Sequence, residues 1–193
     1  MTSKEIILNN IKQNQNIQQI PLPEIPNINE IYENIFEQFA NTIENAGGKA
    51  LQSDINKLNS LILELYPKAT KIASNIKIPN LKTIDPNIYT NPHDLQNLEL
   101  AIVKGEFAVA QNGAVWIQNN QNKHRALYFI AENLIIIVDK NNLVNNLYEA
   151  YKQIDITNSS YGVFISGPSK TADIEQSLVI GAHGSKSLYV IFV

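Results

Sequence analysis

Residues 134–138 read Leu-Ile-Ile-Ile-Val, and residues 187–193 read Ser-Leu-Tyr-Val-Ile-Phe-Val. Each run has the length of one strand and is nearly free of polar residues, so neither of its faces suits contact with water. Such strands are typical of parallel sheets that are covered on both faces. Strand-like and helix-like segments alternate around these runs, which predicts an α/β domain with a largely parallel sheet and helices on both faces.

The remaining elements are predicted from helix caps, turn residues and apolar spacing. Helices are expected from a cap at Asn29 to Gly47-Gly48, from a cap at Ser53 to about Tyr66, around residues 125–131 and over residues 141–154. Further strands are expected at residues 49–51, 71–74, 98–103 and 161–165. Asn112-Gly113 is a strong signal for a tight turn, so residues 107–110 and 114–117 are predicted to form a β-hairpin insertion.

The first 28 residues differ in pattern from the rest. Residues 2–5, Thr-Ser-Lys-Glu, match a capping box and predict a helix to about Gln13. Three prolines then favour an extended linker over residues 15–29. The prediction is an N-terminal helix and Pro-rich linker at residues 1–28 and an α/β domain at residues 29–193. This N-terminal arm should be dispensable for folding and needed for assembly.

Composition limits the partners. The 193 residues are 44% hydrophobic and only 17% charged, which suits a sizeable core. The net charge is −3, and nucleic acid is not expected as a partner because its binding depends on neutralising phosphates. Apolar runs are too short for a membrane span, and the N-terminal segment lacks the pattern of a signal peptide. We therefore expect a cytoplasmic protein.

Cysteine is absent, so this chain can supply no thiolate to an iron–sulfur cluster and no cysteine nucleophile. Its three histidines are scattered and give no zinc-binding spacing, so no metal or cofactor is expected in the chain itself. Arginine occurs once, at Arg125, against fourteen lysines. A single guanidinium, with His124 beside it, could clamp a carboxylate, or it could be a chance surface residue.

Half of the eight glycines fall within residues 162–184 and frame a loop rich in Ser and Thr. A strand, this loop and a short helix are predicted in that order, an arrangement that points backbone amides at an anion. The candidate ligand-binding residues of the loop are Ser166, Gly167, Ser169, Lys170, Thr171 and Asp173. A tight structural turn explains the same residues equally well. His183 could be an acid–base group or a turn residue bonded to backbone.

The stretch ISGPSKTADIEQSLVIGAHG at residues 165–184 closely resembles the C-terminal signature of the lactate-utilisation protein C family, which has the LUD domain. ELAIVKGEFAVAQNGAVWI at residues 99–117 and HRAL at residues 124–127 resemble two further motifs of that family. The resemblance implies an open Rossmann-like sheet of the CoA-transferase and ribose-phosphate-isomerase-like superfamily. One position departs from the pattern: Gln111 stands where the family often has Glu.

The resemblance implies an accessory subunit, without its own redox centre, of a multi-protein iron–sulfur system that oxidises L-lactate to pyruvate. Cysteine-rich partner subunits would then carry the iron–sulfur clusters. The alternative is a stand-alone enzyme or ligand-binding module of the CoA-transferase-like group, acting on a CoA ester, a sugar phosphate or another small anion. Glu106 resembles the nucleophilic glutamate of CoA transferases in its placement after a strand and a glycine.

These features predict where a small anionic ligand lies. In open parallel sheets, ligands bind beyond the carboxyl ends of the strands. The loop after residues 161–165 and the turn at Gly105-Glu106 should both open at that edge. The expected single pocket is lined by Glu106, Ser169, Lys170, Thr171, Asp173 and His183, with Arg125 beside them.

Overall fold

A computed structural model of the chain describes residues 2–14, 31–119, 122–155, 161–172 and 178–193. The predicted Pro-rich linker, the cap at Asn29 and the candidate Asp173 lie outside the described residues. The helices are α1 (Ser3–Asn14), α2 (Ile35–Asn45), α3 (Leu58–Leu65), α4 (Leu127–Ile130) and α5 (Leu147–Gln153). The strands are β1 (Lys49–Gln52), β2 (Ile72–Ser74), β3 (Leu100–Lys104), β4 (Phe107–Val109), β5 (Ala114–Gln118), β6 (Asn133–Val138), β7 (Leu143–Val144), β8 (Gly162–Ile165), β9 (Lys170–Ala172), β10 (Leu178–Ile180) and β11 (Ser187–Phe192).

Five strands form a parallel sheet in the order β1-β11-β6-β3-β2. The two apolar runs that predicted the sheet, β6 and β11, lie side by side at its centre with Ser187 opposite Asn133. Along β6, alternate side chains enter the two different hydrophobic clusters on either side of the sheet. The prediction of a largely parallel sheet is confirmed.

Helices cover both faces of this sheet, as predicted. Leu58 and Ile62 of α3 are fully buried against Ile135 and Ile137 on one face. On the other face, Phe39 of α2 packs edge-on against Phe192, with ring centroids 5.2 Å apart. α4 lies on that same face through its buried Leu127 and Tyr128. These contacts leave the two ends of the sheet, where the strand termini lie, as the places for polar loops.

A second sheet, in the order β7-β4-β5-β8, packs on the α2 face. β4 and β5 form the predicted hairpin, and Gly113 takes the positive φ of 64° that its turn requires. The outer face of this sheet packs against Ala150 of α5 through Phe107, Val109 and Phe164. The predicted insertion is therefore part of a four-stranded sheet with its own helix.

Two predicted helix starts and one strand assignment were wrong. α2 begins at Ile35, since the Asn34 side chain accepts a hydrogen bond from the Glu37 amide (3.1 Å). The helix predicted from residue 141 begins only at Leu147, because residues 143–144 pair with β4 instead. Strand β8 belongs to the second sheet, antiparallel to β5, and not to the parallel sheet.

The N-terminal helix α1 carries the predicted capping box. The Thr2 amide donates to the Glu5 carboxylate (2.7 Å), and the Glu5 amide donates to the Thr2 hydroxyl (3.4 Å). None of the α1 residues is buried. Within the described ranges of the chain, no helix has the length and apolar character needed to cross a bilayer.

Candidate functional site

The predicted anion loop lies against a second loop that precedes β11. The Ser169 amide donates to the Ser185 carbonyl and the Gly181 amide donates to the Ser169 carbonyl, both at 2.9 Å. The Lys186 amide donates to the Glu132 carbonyl at 2.7 Å. These three amides are therefore committed to protein carbonyls and are not directed at a ligand.

The short helix predicted after this loop would fall on residues from Asp173 onward, and residues 173–177 lie outside the described chain, so it stays a prediction. Residues 170–172 form β9, which pairs antiparallel with β10, with Lys170 opposite Ile180. The hydrogen bond from Gly181 to Ser169 continues this hairpin towards the second loop. A helix N-terminus is thus not available at residues 170–172, and the structural-turn interpretation of Ser169 gains support.

The predicted single pocket is also divided between opposite ends of the parallel sheet. Glu106 follows the carboxyl end of β3, whereas Ser169 and His183 belong to loops at the amino ends of β6 and β11. Strand β3 alone separates these ends by roughly 13 Å, at about 3.3 Å per residue. The prediction that both loops open on the same side was wrong, because β8 does not run in the parallel sheet.

Three loop candidates pack on neighbouring backbone. The Ser166 hydroxyl donates to the Asn112 carbonyl of the hairpin turn (2.9 Å). Gly167 has a φ of 75°, and a Cβ there would lie 2.3 Å from the Ala46 carbonyl oxygen at the end of α2. Lys170 extends towards Gly47. Ser166 and Gly167 therefore fasten the loop to α2 and the hairpin. Thr171 lies opposite Val179 in the antiparallel pair of β9 and β10.

A cavity of about 280 Å³ lies beside the second loop at the amino edge. Its lining residues are Phe129, Ile130, Ala131, Glu132, Gly181, Ala182, His183, Gly184 and Lys186. Lys186 and Glu132 form an ion pair at 3.4 Å, with both side chains more than half exposed. Ser169 lies directly behind Gly184, since a Cβ on that glycine would be 2.8 Å from the serine Cβ. Of the predicted residues, His183 lines this cavity beside Lys186, and Ser169 lies behind Gly184 without lining it.

The other two charged candidates lie elsewhere. The Glu106 carboxylate pairs with Lys104 at 3.1 Å. The Arg125 guanidinium lies 4.5 Å from the centre of the Tyr161 ring, a cation–π contact. Its neighbour His124 has its Nε2 3.0 Å from the Tyr89 carbonyl oxygen. His124 therefore has a backbone partner of its own, separate from the Arg125 contact.

Gln111 satisfies a backbone amide at the start of helix α5. Its side-chain oxygen accepts a hydrogen bond from the Leu147 amide at the start of α5 (3.1 Å). An amide oxygen and a carboxylate oxygen can both accept this bond. The position therefore has a structural role for which the negative charge of Glu is not needed.

Sequence reasoning treated residues 76–92 as irregular and missed a polar cavity there. The cavity measures about 530 Å³ and follows the carboxyl end of β2. The rule that ligands bind beyond the carboxyl ends of parallel strands, applied to the predicted strand 71–74, would have pointed to it. In the part of the chain that the structure describes, no cluster of three or more His, Cys, Asp or Glu side chains is arranged to hold a metal ion.

The fold defines an α/β protein with a parallel sheet and a second mixed sheet on one face. A solved structure described as a DUF162 family protein from Deinococcus radiodurans has this fold, with a TM-score of 0.68 over 82% of this chain and 96% of that one. At 18% identity, this likeness shows the fold alone.

The sequence profile of the LUD domain matches residues 4–193, and the chain belongs to the LUD domain family. Relatives named lactate utilization protein C include one from Oceanobacillus iheyensis, 30% identical over 104 residues, and one from Macrococcus caseolyticus, 27% identical over 175 residues. The first alignment covers 51% of this chain and 45% of the relative; the second covers 81% and 76%. A relative from Bacillus pumilus is likewise matched over 45% of its length, so the chain spans about half of some of these proteins. The family predicted from residues 165–184 is confirmed.

Proposed function

We propose that the chain serves lactate utilisation in the cytoplasm, as an accessory subunit of a multi-protein system that oxidises L-lactate to pyruvate. The observation that carries the proposal is the alignment with lactate utilization protein C of Macrococcus caseolyticus over 81% of the chain. Membership of the LUD domain family over residues 4–193 supports it.

The chemistry of the chain supports an accessory role. L-Lactate oxidation removes two electrons, which must pass to a redox centre. A chain without cysteine offers no thiolate to an iron–sulfur cluster. We therefore place the clusters in cysteine-rich partner subunits and assign a positioning or binding role to this chain.

A small anion forms part of this proposal. At the amino-edge cavity, His183 and Lys186 are exposed and Ser169 lies behind Gly184. Of the sequence-derived candidates, His183 lines this cavity and has the position that favours an anion, while Ser169 lies behind the cavity wall and Glu106, Arg125, Ser166, Gly167 and Lys170 have other contacts or places.

The test begins in cells that lack the gene for this chain. We expect these cells to stop growing on L-lactate, to keep growing on pyruvate, and to recover when the full chain is supplied. Growth on pyruvate is the control because it bypasses the oxidation. Unchanged growth on L-lactate would contradict the proposal.

The accessory role is tested with purified protein. We expect the affinity-tagged chain to capture cysteine-rich proteins that contain iron and sulfide, and dye reduction by L-lactate to require those proteins. The isolated chain, after treatment with iron and sulfide, should remain colourless and inactive. Reduction of the dye by the isolated chain would show that it carries its own redox centre.

A further inference from the structure

The polar cavity beyond β2 is built by a loop whose own polar groups are largely satisfied. The Ser74 hydroxyl donates to the Ile76 carbonyl and accepts from the Ile76 amide, both at 3.0 Å. The Asp85 carboxylate accepts from the Asn87 amide (2.9 Å), and the Asn87 side chain accepts from the Lys123 amide (2.8 Å). These bonds shape the wall of the cavity independently of any ligand.

Other polar groups that line the cavity lack a hydrogen-bond or ion-pair partner within the described chain. Among the residues that the structure describes, the Lys77 ammonium and the Thr83 hydroxyl have no hydrogen-bond or ion-pair partner. The Asn75 side-chain oxygen is buried and also lacks a partner in the described chain. Because the Asn75 oxygen is not accessible to solvent, the Lys77 ammonium and the Thr83 hydroxyl are the donors that a ligand in the cavity can meet.

The charges on the wall define the ligand. Lys77 and Thr83 can both donate to a carboxylate. Asp85 uses one carboxylate oxygen for the Asn87 amide, and its other oxygen can accept from a ligand. A molecule that pairs with Lys77, Thr83 and Asp85 carries an anionic group together with a hydrogen-bond donor. The volume of about 530 Å³ is within the range of small-molecule sites.

We propose that this cavity, at Lys77, Thr83 and Asp85, binds a short 2-hydroxycarboxylate, the chemical class of lactate. The carboxylate is held by Lys77 and Thr83, and the hydroxyl donates to the second carboxylate oxygen of Asp85. The choice of a hydroxyl over an amino group as the donor rests on the proposed function. The location agrees with the general position of ligands in open parallel sheets, beyond the carboxyl ends of the strands.

The experiment titrates the full-length chain with sodium L-lactate, sodium acetate and inorganic phosphate by calorimetry. L-Lactate should bind more tightly than acetate, which lacks the hydroxyl, and phosphate should not displace it. Lys77→Met should weaken L-lactate binding about tenfold or more, the effect of losing one charge-assisted hydrogen bond. Lys82→Met removes an exposed lysine from the same loop that does not line the cavity, and should bind like the unmodified chain.

A second variant tests Asp85 as the acceptor for the ligand's hydroxyl. Asp85→Asn keeps an oxygen for the Asn87 amide and removes the charge. We expect this variant to fold normally by circular dichroism and to lose much of the preference for L-lactate over acetate. Equal effects of Lys77→Met and Lys82→Met, or phosphate binding in place of L-lactate, would overturn the assignment.

The two proposals fail separately. If growth on L-lactate requires the chain but the purified chain binds no L-lactate, the cavity assignment is wrong and the accessory role stands. If growth does not require the chain but L-lactate binds through Lys77, the accessory role is wrong and the cavity assignment stands.

Discussion

The carboxylate of Glu99 accepts hydrogen bonds from the Lys71 amide (2.9 Å), the Thr70 amide (2.5 Å) and the Thr70 hydroxyl (3.1 Å). The bond from the Lys71 amide, followed by those from Thr70, lowers the pKa of Glu99 below its ordinary value of 4.5. These donors favour the ionised carboxylate in the folded state. The stabilisation is therefore present above pH 4.5 and is lost as the pH falls through the lower, folded-state pKa.

We expect Glu99→Gln to be less stable than the unmodified chain at pH 7, and the difference to shrink as the pH is lowered below about 4.5. Urea unfolding at several pH values measures both effects. Glu64→Gln, at an exposed position of α3, is the control for removing one negative charge. A stability difference that stays constant down to pH 3 would show that the hydrogen bonds to Glu99 do not depend on its ionisation.

The role of Gln111 can be tested by removing its acceptor oxygen and, separately, by adding a negative charge at the same position. Gln111→Ala should lower the free energy of unfolding by about 0.5–1.5 kcal/mol, because the Leu147 amide loses its acceptor. Gln111→Glu should retain that energy or add about 0.3–1 kcal/mol, since a negative charge is favoured at a helix N-terminus. Gln153→Ala, at the exposed end of α5, is the control. A loss of stability in Gln111→Glu would contradict the capping role.

For individual residues, the sequence predicts interactions with partners that are close in the chain. The capping box at residues 2–5 and the turn at Asn112-Gly113 are local patterns and were predicted correctly. The partners of Ser166 and Ser169 lie 54 and 16 residues away, at Asn112 and Ser185. Nothing in the loop itself identifies those partners, so the structural turn and the anion site could not be separated from sequence.

Among the elements, the junction of β3 and β4 depends on a glycine. Gly105 lies where the chain crosses from one sheet to the other. A Cβ at this position would lie 2.5 Å from a Val115 methyl and 2.9 Å from methyls of Ile136 and Val138. Gly105→Ala should lower the free energy of unfolding by about 1–3 kcal/mol, the cost of overpacking a filled core. Urea denaturation measures the loss.

The cause of that loss is tested by a double variant. Val115→Ala alone should be destabilising because it leaves a cavity. Combined with Gly105→Ala, it makes room for the new methyl, so the two losses should sum to more than the loss in the double variant. Strict additivity would show that the contact with Val115 is not the cause of the loss.

The same scale shows what apolar pattern can and cannot predict. Continuous apolar runs identified β6 and β11, because only a doubly covered strand can bury both faces. The apolar spacing of residues 141–154 predicted one helix, yet Leu143 and Val144 pair with β4 and only the part from Leu147 is helical. An apolar residue at position 143 suits either structure, and only the second sheet decides between them. In that sheet, β7 and β8 join the hairpin of β4 and β5 from distant positions in the sequence. The apolar pattern alone therefore could not place them.

At the scale of the whole molecule, α1 differs from the other four described α-helices in its lack of buried residues. It has no buried residues, and Ile6, Ile7, Leu8 and Ile11 are between 47% and 58% exposed. Substitutions at surface positions usually change stability by less than about 0.5 kcal/mol. Removal of residues 1–14 should therefore shift the melting temperature by less than about 2 °C for a chain of this size. A larger drop would show that α1 contributes to the folded core.

The proposed accessory role gives the exposed side chains of α1 a use, because apolar surface that the chain itself leaves uncovered suits contact with partner subunits. Ile7 and Ile11 lie one helical turn apart on the same face. Ile7→Lys with Ile11→Lys should abolish capture of the cysteine-rich partners while leaving the melting temperature unchanged. Asn9→Lys with Gln13→Lys adds the same charge to the opposite face of α1 and should preserve capture. If both pairs abolish it, charge and not apolar contact controls the interaction; if neither does, α1 is not the docking element and the partners bind the α/β domain directly.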